Sequence, residues 1–269
     1  MFCFQSGPVG FGAWDREVFR VWSTVILLCG IIIAAPASAE IADLQEFLRG
    51  VETANAIAMP LRGDGNLDVV SPEATQHYPL ALILRPPADL YVDLQNGMKA
   101  LVPATGDAAY LLKPGATKAD TFPPDAALAG SDFTREDLEP FRLAHYQDWR
   151  ISDESAGEVT VTLFPQAASQ YTLVVITFDA EKRLPLKTLY YRDTLSNLVK
   201  MRRDSDYVLV GRKPMATTVT METFKLRTHS TFTLQWTQNP IFPPELFDPV
   251  FLSHPAGIAW PTMTAAPAR

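Results

Sequence analysis

Residues 80–102 read LALILRPPADLYVDLQNGMKALV, and the fold turns on them. Leu80, Leu82 and Leu84 recur at every second position, as do Leu90, Val92 and Leu94 against Asp89, Tyr91 and Asp93. A period of two marks a strand. Between the runs, Arg85-Pro86-Pro87-Ala88 makes a tight connection whose prolines cannot continue a ladder, so the two strands run antiparallel. Asn96-Gly97 is the strongest hairpin signal in the chain, set between 90–94 and Met98–Val102. A further strand at Ala108–Leu112, reached through Thr105-Gly106-Asp107, extends this antiparallel meander.

Working outward, Ile41, Leu44, Phe47, Leu48 and Val51 fall on one face of a helix of about three turns over Glu40–Val51, which Gly50 and Thr53 bring to an end. Downstream, Lys113–Gly130 carries Pro114, Gly115, Pro123 and Pro124 with few periodic apolar positions and reads as a loop. Thr134 and Asp137 have the spacing of a capping box for a short helical turn ended by Pro140. Eight more strands follow: 149–151, 158–164, 171–179, 184–192, 198–203, 207–211, 216–227 and 231–237.

The composition agrees with a folded β-rich domain. Of 269 residues 47% are hydrophobic and 20% charged, which excludes intrinsic disorder, and 22 Pro against 14 Gly argue against an all-helical bundle. A net charge of −7 gives no phosphate-neutralising surface, so nucleic acid is not expected as a partner.

The first forty residues differ from the rest. Val21 to Ala39 carry no charge, follow Arg16 and Arg20, and end in Ala37-Ser38-Ala39, the small-x-small pattern that signal peptidase accepts. The expectation is a cleaved signal peptide, 1–39, a mature chain starting at Glu40 and a periplasmic location; an uncleaved anchor is the alternative, since nineteen uncharged residues nearly reach the roughly 20 needed to span a bilayer. Leu28 stands where lipoprotein processing wants a small residue before Cys29, so lipidation is not expected. Cys3 and Cys29 both lie in the signal, which leaves the mature chain without a disulfide or a thiol nucleophile. A domain over 40–252 and a Pro/Ala-rich tail over 253–269 complete the layout.

A sheet of a dozen strands with one leading helix must close, pack on a second sheet, or curve. The strand faces favour curvature. Val159, Val161 and Leu163 share one face against Thr160 and Thr162, and Phe232, Leu234 and Trp236 oppose Thr231, Thr233, Gln235 and Thr237. The apolar faces Leu80-Leu82-Leu84, Leu90-Val92, Val174-Ile176-Phe178 and Phe232-Leu234-Trp236 are therefore assigned to the concave side of one sheet, where they either line a cavity for acyl chains or fill a tight core.

Signatures of catalysis are thin. His77, His145, His229 and His254 are 68, 84 and 25 residues apart, without metal-ligand spacing, and there is no Gly-x-Ser-x-Gly elbow or P-loop. Asp132, Glu136, Asp137 and Glu139 cluster around Phe133, a pattern that acidic residues at a helix start adopt to stabilise its positive end. Lys200, Arg202 and Arg203 form a basic spot, either solvated or facing lipid head groups. No metal, cofactor or enzymatic activity is expected.

From Gly130-Ser131-Asp132-Phe133 through Asp137-Leu138 the chain resembles the bacterial outer-membrane lipoprotein-sorting protein family, which carries a Gly-Ser-Asp-Phe-x-x-x-Asp-Leu block. Tyr171, Leu184-Pro185-Leu186-Lys187, Tyr190-Tyr191-Arg192-Asp193, Leu198-Val199-Lys200 and Asn239 to Phe247 extend the likeness over about 130–252; over 40–129 it holds in order and spacing only, and Ala109-Tyr110-Leu111-Leu112 lacks the family's tryptophan. The resemblance implies a mainly β fold: an unclosed, strongly curved antiparallel β-barrel, here of about 11–12 strands, with helices covering the concave side and acyl chains held inside. It implies a shuttle for a lipid or lipoprotein between an inner-membrane exporter of the resistance-nodulation-division type and an outer-membrane acceptor. Within the block the residues have structural work: Gly130 allows the turn, Phe133 plugs the apolar interior and Asp137 holds backbone donors, beside Ser131 and Asp132. A non-transport envelope binding module with a filled core, or an envelope enzyme, are the alternatives.

Overall fold

The computed structural model describes residues 43–104, 108–155 and 157–253. The expected signal peptide with its cleavage point, Ile41 of the helix face, the Thr105-Gly106-Asp107 turn, and His254 with the rest of the tail lie outside them. The elements are α1 (Leu44–Asn55), β1 (Leu61–Val70), β2 (Thr75–Arg85), β3 (Asp89–Leu94), β4 (Lys99–Val102), β5 (Tyr110–Leu112), β6 (Asp120–Thr121), β7 (Tyr146–Ser155), β8 (Glu158–Pro165), β9 (Leu173–Asp179), β10 (Pro185–Tyr191), β11 (Leu198–Val210), β12 (Lys213–Thr223) and β13 (Thr228–Gln238).

All thirteen strands form one antiparallel sheet in the order β6-β5-β4-β3-β2-β1-β13-β12-β11-β10-β9-β8-β7. The first and last strands thus meet near its middle, while β6 and β7, neighbours in the chain, occupy its opposite edges. The segment between them, residues 122–145, has to cross from one edge to the other. It forms a strap over the concave side: Phe133 packs at a tilt against Phe232 of β13 with ring centroids 4.5 Å apart, and Phe141 meets Phe178 of β9 edge-on at 5.9 Å.

The sheet is strongly curved. β3 and β9 stand seven strand positions apart in its order, roughly 34 Å if it lay flat at ~4.8 Å per strand. Yet Val92 of β3 and Phe178 of β9 share one core with Phe47, Leu48 and Val51 of α1. Asp43 caps this helix by accepting a hydrogen bond from the Glu46 amide (3.0 Å), satisfying one of the donors that a helix start leaves free.

Three strand assignments differ from the expectation of about a dozen. The runs 198–203 and 207–211 are one long strand, β11; β6 is a two-residue edge; and β1 escaped the period-two reading. β1 carries Gly63 and Gly65 at inward positions, between Leu82 and Trp236 and between Leu80 and Leu234 respectively. A Cβ on Gly65 would lie 1.8 Å from the Thr233 carbonyl oxygen, so the close approach of backbone there excludes any side chain. The helix runs over Leu44–Asn55, past the expected end at Val51: Gly50 does not stop it, because Val51 continues its buried face, and the Asn55 side-chain amide donates to the Val51 carbonyl in the last turn.

The outer face of the sheet is not uniformly wet. Ala81, Ile83, Tyr91, Leu101 and Leu112 form a second buried layer with Leu246 and Leu252. The closing Pro243–Phe247 motif folds back over β2–β5, placing Phe247 against the Tyr91 ring and beneath the Arg85 guanidinium. All six residues of β3 are buried as a result.

Candidate ligand-binding cavity

Between the concave face, α1 and the strap lies a cavity of about 760 Å³, within the ~300–1,000 Å³ typical of ligand sites. Ten of the eleven positions expected to face a ligand line it: Leu82, Leu84, Leu90, Val92, Val174, Ile176, Phe178, Phe232, Leu234 and Trp236. The eleventh, Leu80, is packed in the core beside it. The strap contributes Phe122, Phe133, Leu138 and Phe141 to the lining, and α1 contributes Val51.

Against the apolar wall stands a polar cluster whose groups are matched to one another; Asp137, Tyr171 and Arg202 reach the cavity lining, and Asp132, Lys200 and Ser230 sit behind them. Gly130 turns the strap with φ +71°. Ser131 Oγ accepts the Phe133 amide at 3.2 Å. The Asp132 carboxylate accepts from Ser230 Oγ (2.7 Å) and Thr228 Oγ1, and the Asp132 amide donates to Ser230 Oγ (2.9 Å). Asp137 Oδ2 accepts from the Thr134 amide, Thr134 Oγ1 and Lys200 Nζ, each at 2.8 Å, while Oδ1 accepts from the Tyr171 hydroxyl at 2.7 Å. Lys200 Nζ also donates to the Asp132 carbonyl (2.7 Å), and the Arg202 guanidinium to the Asp137 carbonyl (3.0 Å). The strap is thus fastened to β11, β13 and the start of β9 by a buried polar clasp.

This corrects two expectations. The acidic quartet does not serve a helix dipole: the turn at Glu136–Leu138 is three residues of 3-10 helix, and the carboxylates tie the strap to its surroundings or to itself. Glu136 holds Ser169 and the Gln170 amide, and Glu139 pairs with Arg135 at 2.6 Å. The basic spot is not a solvated patch either. Lys200 and Arg202 share the inner face of β11 and are occupied by Asp137 and Asp204, and only Arg203 is exposed. Lys200, Arg202 and Asp204 fall at every second residue, the same period that places the leucines, but charged side chains at that spacing are ordinarily the solvated face of a strand. Thr134 and Asp137 do form one arm of the expected capping box, through the Thr134 amide.

Burial, then the nearby Asp137 carboxylate, pushes the Tyr171 and Tyr190 phenols well above their ordinary range, so both stay neutral, and the Tyr171 hydroxyl donates to Asp137. Burial also raises the Glu136 carboxyl, offset in part by its hydrogen bonds from Ser169 and Gln170. His145 lies 3.9 Å from Glu139 at the cavity edge. Among the described residues no three His, Cys, Asp or Glu side chains gather as metal ligands.

A family described as "Uncharacterized protein" has a sequence profile that matches residues 94–254, more than half of the chain. The chain belongs to that family. Its fold is the lipoprotein-sorting fold. A protein domain named for outer membrane lipoprotein sorting, from Vibrio parahaemolyticus, superposes with a TM-score of 0.71 at 16% identity, over 77% of this chain and 97% of that one. A DUF1329 family protein from Desulfovibrio piger gives 0.66 at 14% identity, over 76% and 95%. A LolA superfamily protein from Nitrosomonas europaea gives 0.60 at 15% identity, over 76% and 96%. No curated protein matches the sequence. The resemblance read from the Gly-Ser-Asp-Phe block is therefore borne out at the level of the fold.

Proposed function

We propose that this protein is a periplasmic carrier that holds the acyl chains of a lipid or lipoprotein in its cavity and shuttles them between an inner-membrane exporter, of the resistance-nodulation-division type, and an outer-membrane acceptor. The observation that carries this reading is the cavity itself. Its long wall is built from leucine, valine, isoleucine and aromatic side chains of β2, β3, β9 and β13, and among the described residues nothing fills it. The name of the Vibrio parahaemolyticus neighbour, which refers to lipoprotein sorting, supports the same class of ligand. The leader, 1–39, supports export, with a mature domain over 40–252.

Each buried methylene contributes about 0.8 kcal/mol, so a long chain of roughly fifteen gains up to about 12 kcal/mol, a nanomolar affinity from which escape into water is slow. Delivery then requires a partner that opens the strap or competes for the lipid. Asp132, Glu136, Asp137 and Glu139 each have a hydrogen-bond or ion-pair partner, which supports a structural role for them in the carrier. The test is mass spectrometry of organic extracts from protein purified from the envelope fraction, with amino-terminal sequencing of the same material. Co-purifying acyl lipids and an amino terminus at Glu40 are expected. A lipid-free extract together with no uptake of added lipid would overturn the carrier reading.

A further inference from the structure

Four basic side chains line the cavity: Arg135, His145, Arg202 and Lys213. Three have carboxylate partners. Arg135 pairs with Glu139 at 2.6 Å, His145 lies 3.9 Å from the same residue, and Arg202 pairs with Asp204 at 2.7 Å. Lys213 differs: its ammonium donates to the Ala54 carbonyl in the last turn of α1, and among the described residues no carboxylate stands within ion-pair distance of it.

An ammonium has three donors, and the helix end uses one of them. The side chain is half-buried. Lys213 begins β12 opposite Val210, at the end of the cavity where Ile57, Leu84, Met215 and Trp236 pack together. Burial, with no opposing carboxylate, lowers this lysine from its ordinary value to about 8. An unpaired charge beside an apolar chamber is costly to keep unless something supplies its counter-charge.

Building on the carrier reading, we propose that Lys213 receives the oxyanion of the ligand's head group, so that the cavity selects an acyl chain ending in a carboxylate or a phosphate over a neutral one. The apolar wall takes the chain, and the head group lies at the α1 end against the ammonium. A role confined to capping the helix terminus would stabilise the fold without distinguishing ligands by charge.

The test uses the purified, delipidated protein and two pairs of fluorescent probes that share a chain and differ in charge: parinaric acid against its methyl ester, and pyrene-labelled phosphatidylglycerol against the matching diacylglycerol. Wild type is expected to prefer the charged member of at least one pair by about tenfold, as a charge-assisted hydrogen bond provides. The pair that shows the preference separates a free fatty acid from a phospholipid. Lys213→Gln should bring the charged probe down to the neutral level and leave the neutral probe unchanged, and Lys213→Arg should keep the preference. Equal binding of charged and neutral probes by wild type overturns the proposal while leaving the carrier reading in place, as does an equal loss of both in Lys213→Gln. No binding of any probe overturns both. Should Lys213→Gln lose its circular-dichroism signal, the wild-type preference and its retention in Lys213→Arg decide the matter.

Discussion

Leu82 and Ile83 are neighbours on β2, both buried, and they point to two interiors that are finished differently. Ile83 faces the outer layer, where Leu246, Leu252 and the aromatic rings of the closing segment pack over β2–β5. Leu82 faces the inner side, where the cover is the strap, which joins apolar anchors at Phe122, Leu128 and Phe133 to a polar clasp of Asp132, Asp137 and Lys200. A wedge of apolar side chains seals a face, whereas a polar clasp can bridge one at a distance and leave a chamber beneath. The same alternating sequence therefore produces a filled layer on one side and a cavity on the other, and the covering segment decides which.

The sharpest break of this comparison is a carboxylate at each position. Ile83→Glu puts an unpaired charge into a layer with no room or partner for it, and is expected to abolish the cooperative thermal transition. Leu82→Glu places the charge at a cavity wall that water can reach when no lipid is bound, so the protein should retain its circular-dichroism signal and lose its bound lipid. If both variants unfold, the inner wall is as tightly packed as the outer layer and the distinction between the faces collapses.

Next in size are changes to the two covers. Phe133→Ala removes the strap ring that packs against Phe232 and should cost about 3–5 kcal/mol, as buried aromatic truncations do. Asp137→Ala leaves Lys200 buried without its carboxylate, a loss of about 3–5 kcal/mol. Leu246→Ala, in the outer seal, should cost about 2–5 kcal/mol. Thermal and denaturant melts give these values. The informative difference is in lipid release, followed by transfer of a fluorescent chain to vesicles: Asp137→Ala should accelerate it by loosening the strap, and Leu246→Ala should not. Equal acceleration in both would show that release follows global stability and not the clasp.

How much of this was legible in the sequence depends on the kind of signal. Leu82, Leu90, Val92 and Leu234 declared themselves by period two, and Asn96-Gly97 set the β3–β4 register, because these are local effects of backbone geometry. β1 was illegible for the reason that makes it important: Gly63, Asp64, Gly65 and Asn66 replace the expected apolar alternation, and only the neighbouring strands explain the glycines. The cavity was open to two readings, core or chamber, since apolar faces look alike until their cover is known. Asp137 was read as part of a local turn because its partners Tyr171 and Lys200 are 34 and 63 residues away. The outer seal was missed for the same reason, the Pro243–Phe247 motif being recognisable as a motif but silent about which face it covers.

The smallest expected effect on stability comes from Gly63→Ala, and it tests the inner face with the least disturbance. Gly63 lies on β1 between Leu82 and Trp236, and a Cβ there would stand 3.1 Å from the Trp236 ring and 3.2 Å from a Leu82 methyl. In a filled core such overpacking costs about 1–3 kcal/mol. Here both neighbours line the cavity and have space to retreat into it, so the thermal midpoint should move little. The room they take is room the acyl chain would use, and affinity for a long-chain probe should fall more than affinity for a short one. The expected signature is a chain-length-dependent loss of binding at nearly constant stability, read from fluorescence titrations beside thermal melts. A large drop in the midpoint with an unchanged ratio between long and short probes would mean that Leu82 and Trp236 have no slack, and that the chamber does not extend to the β1 floor.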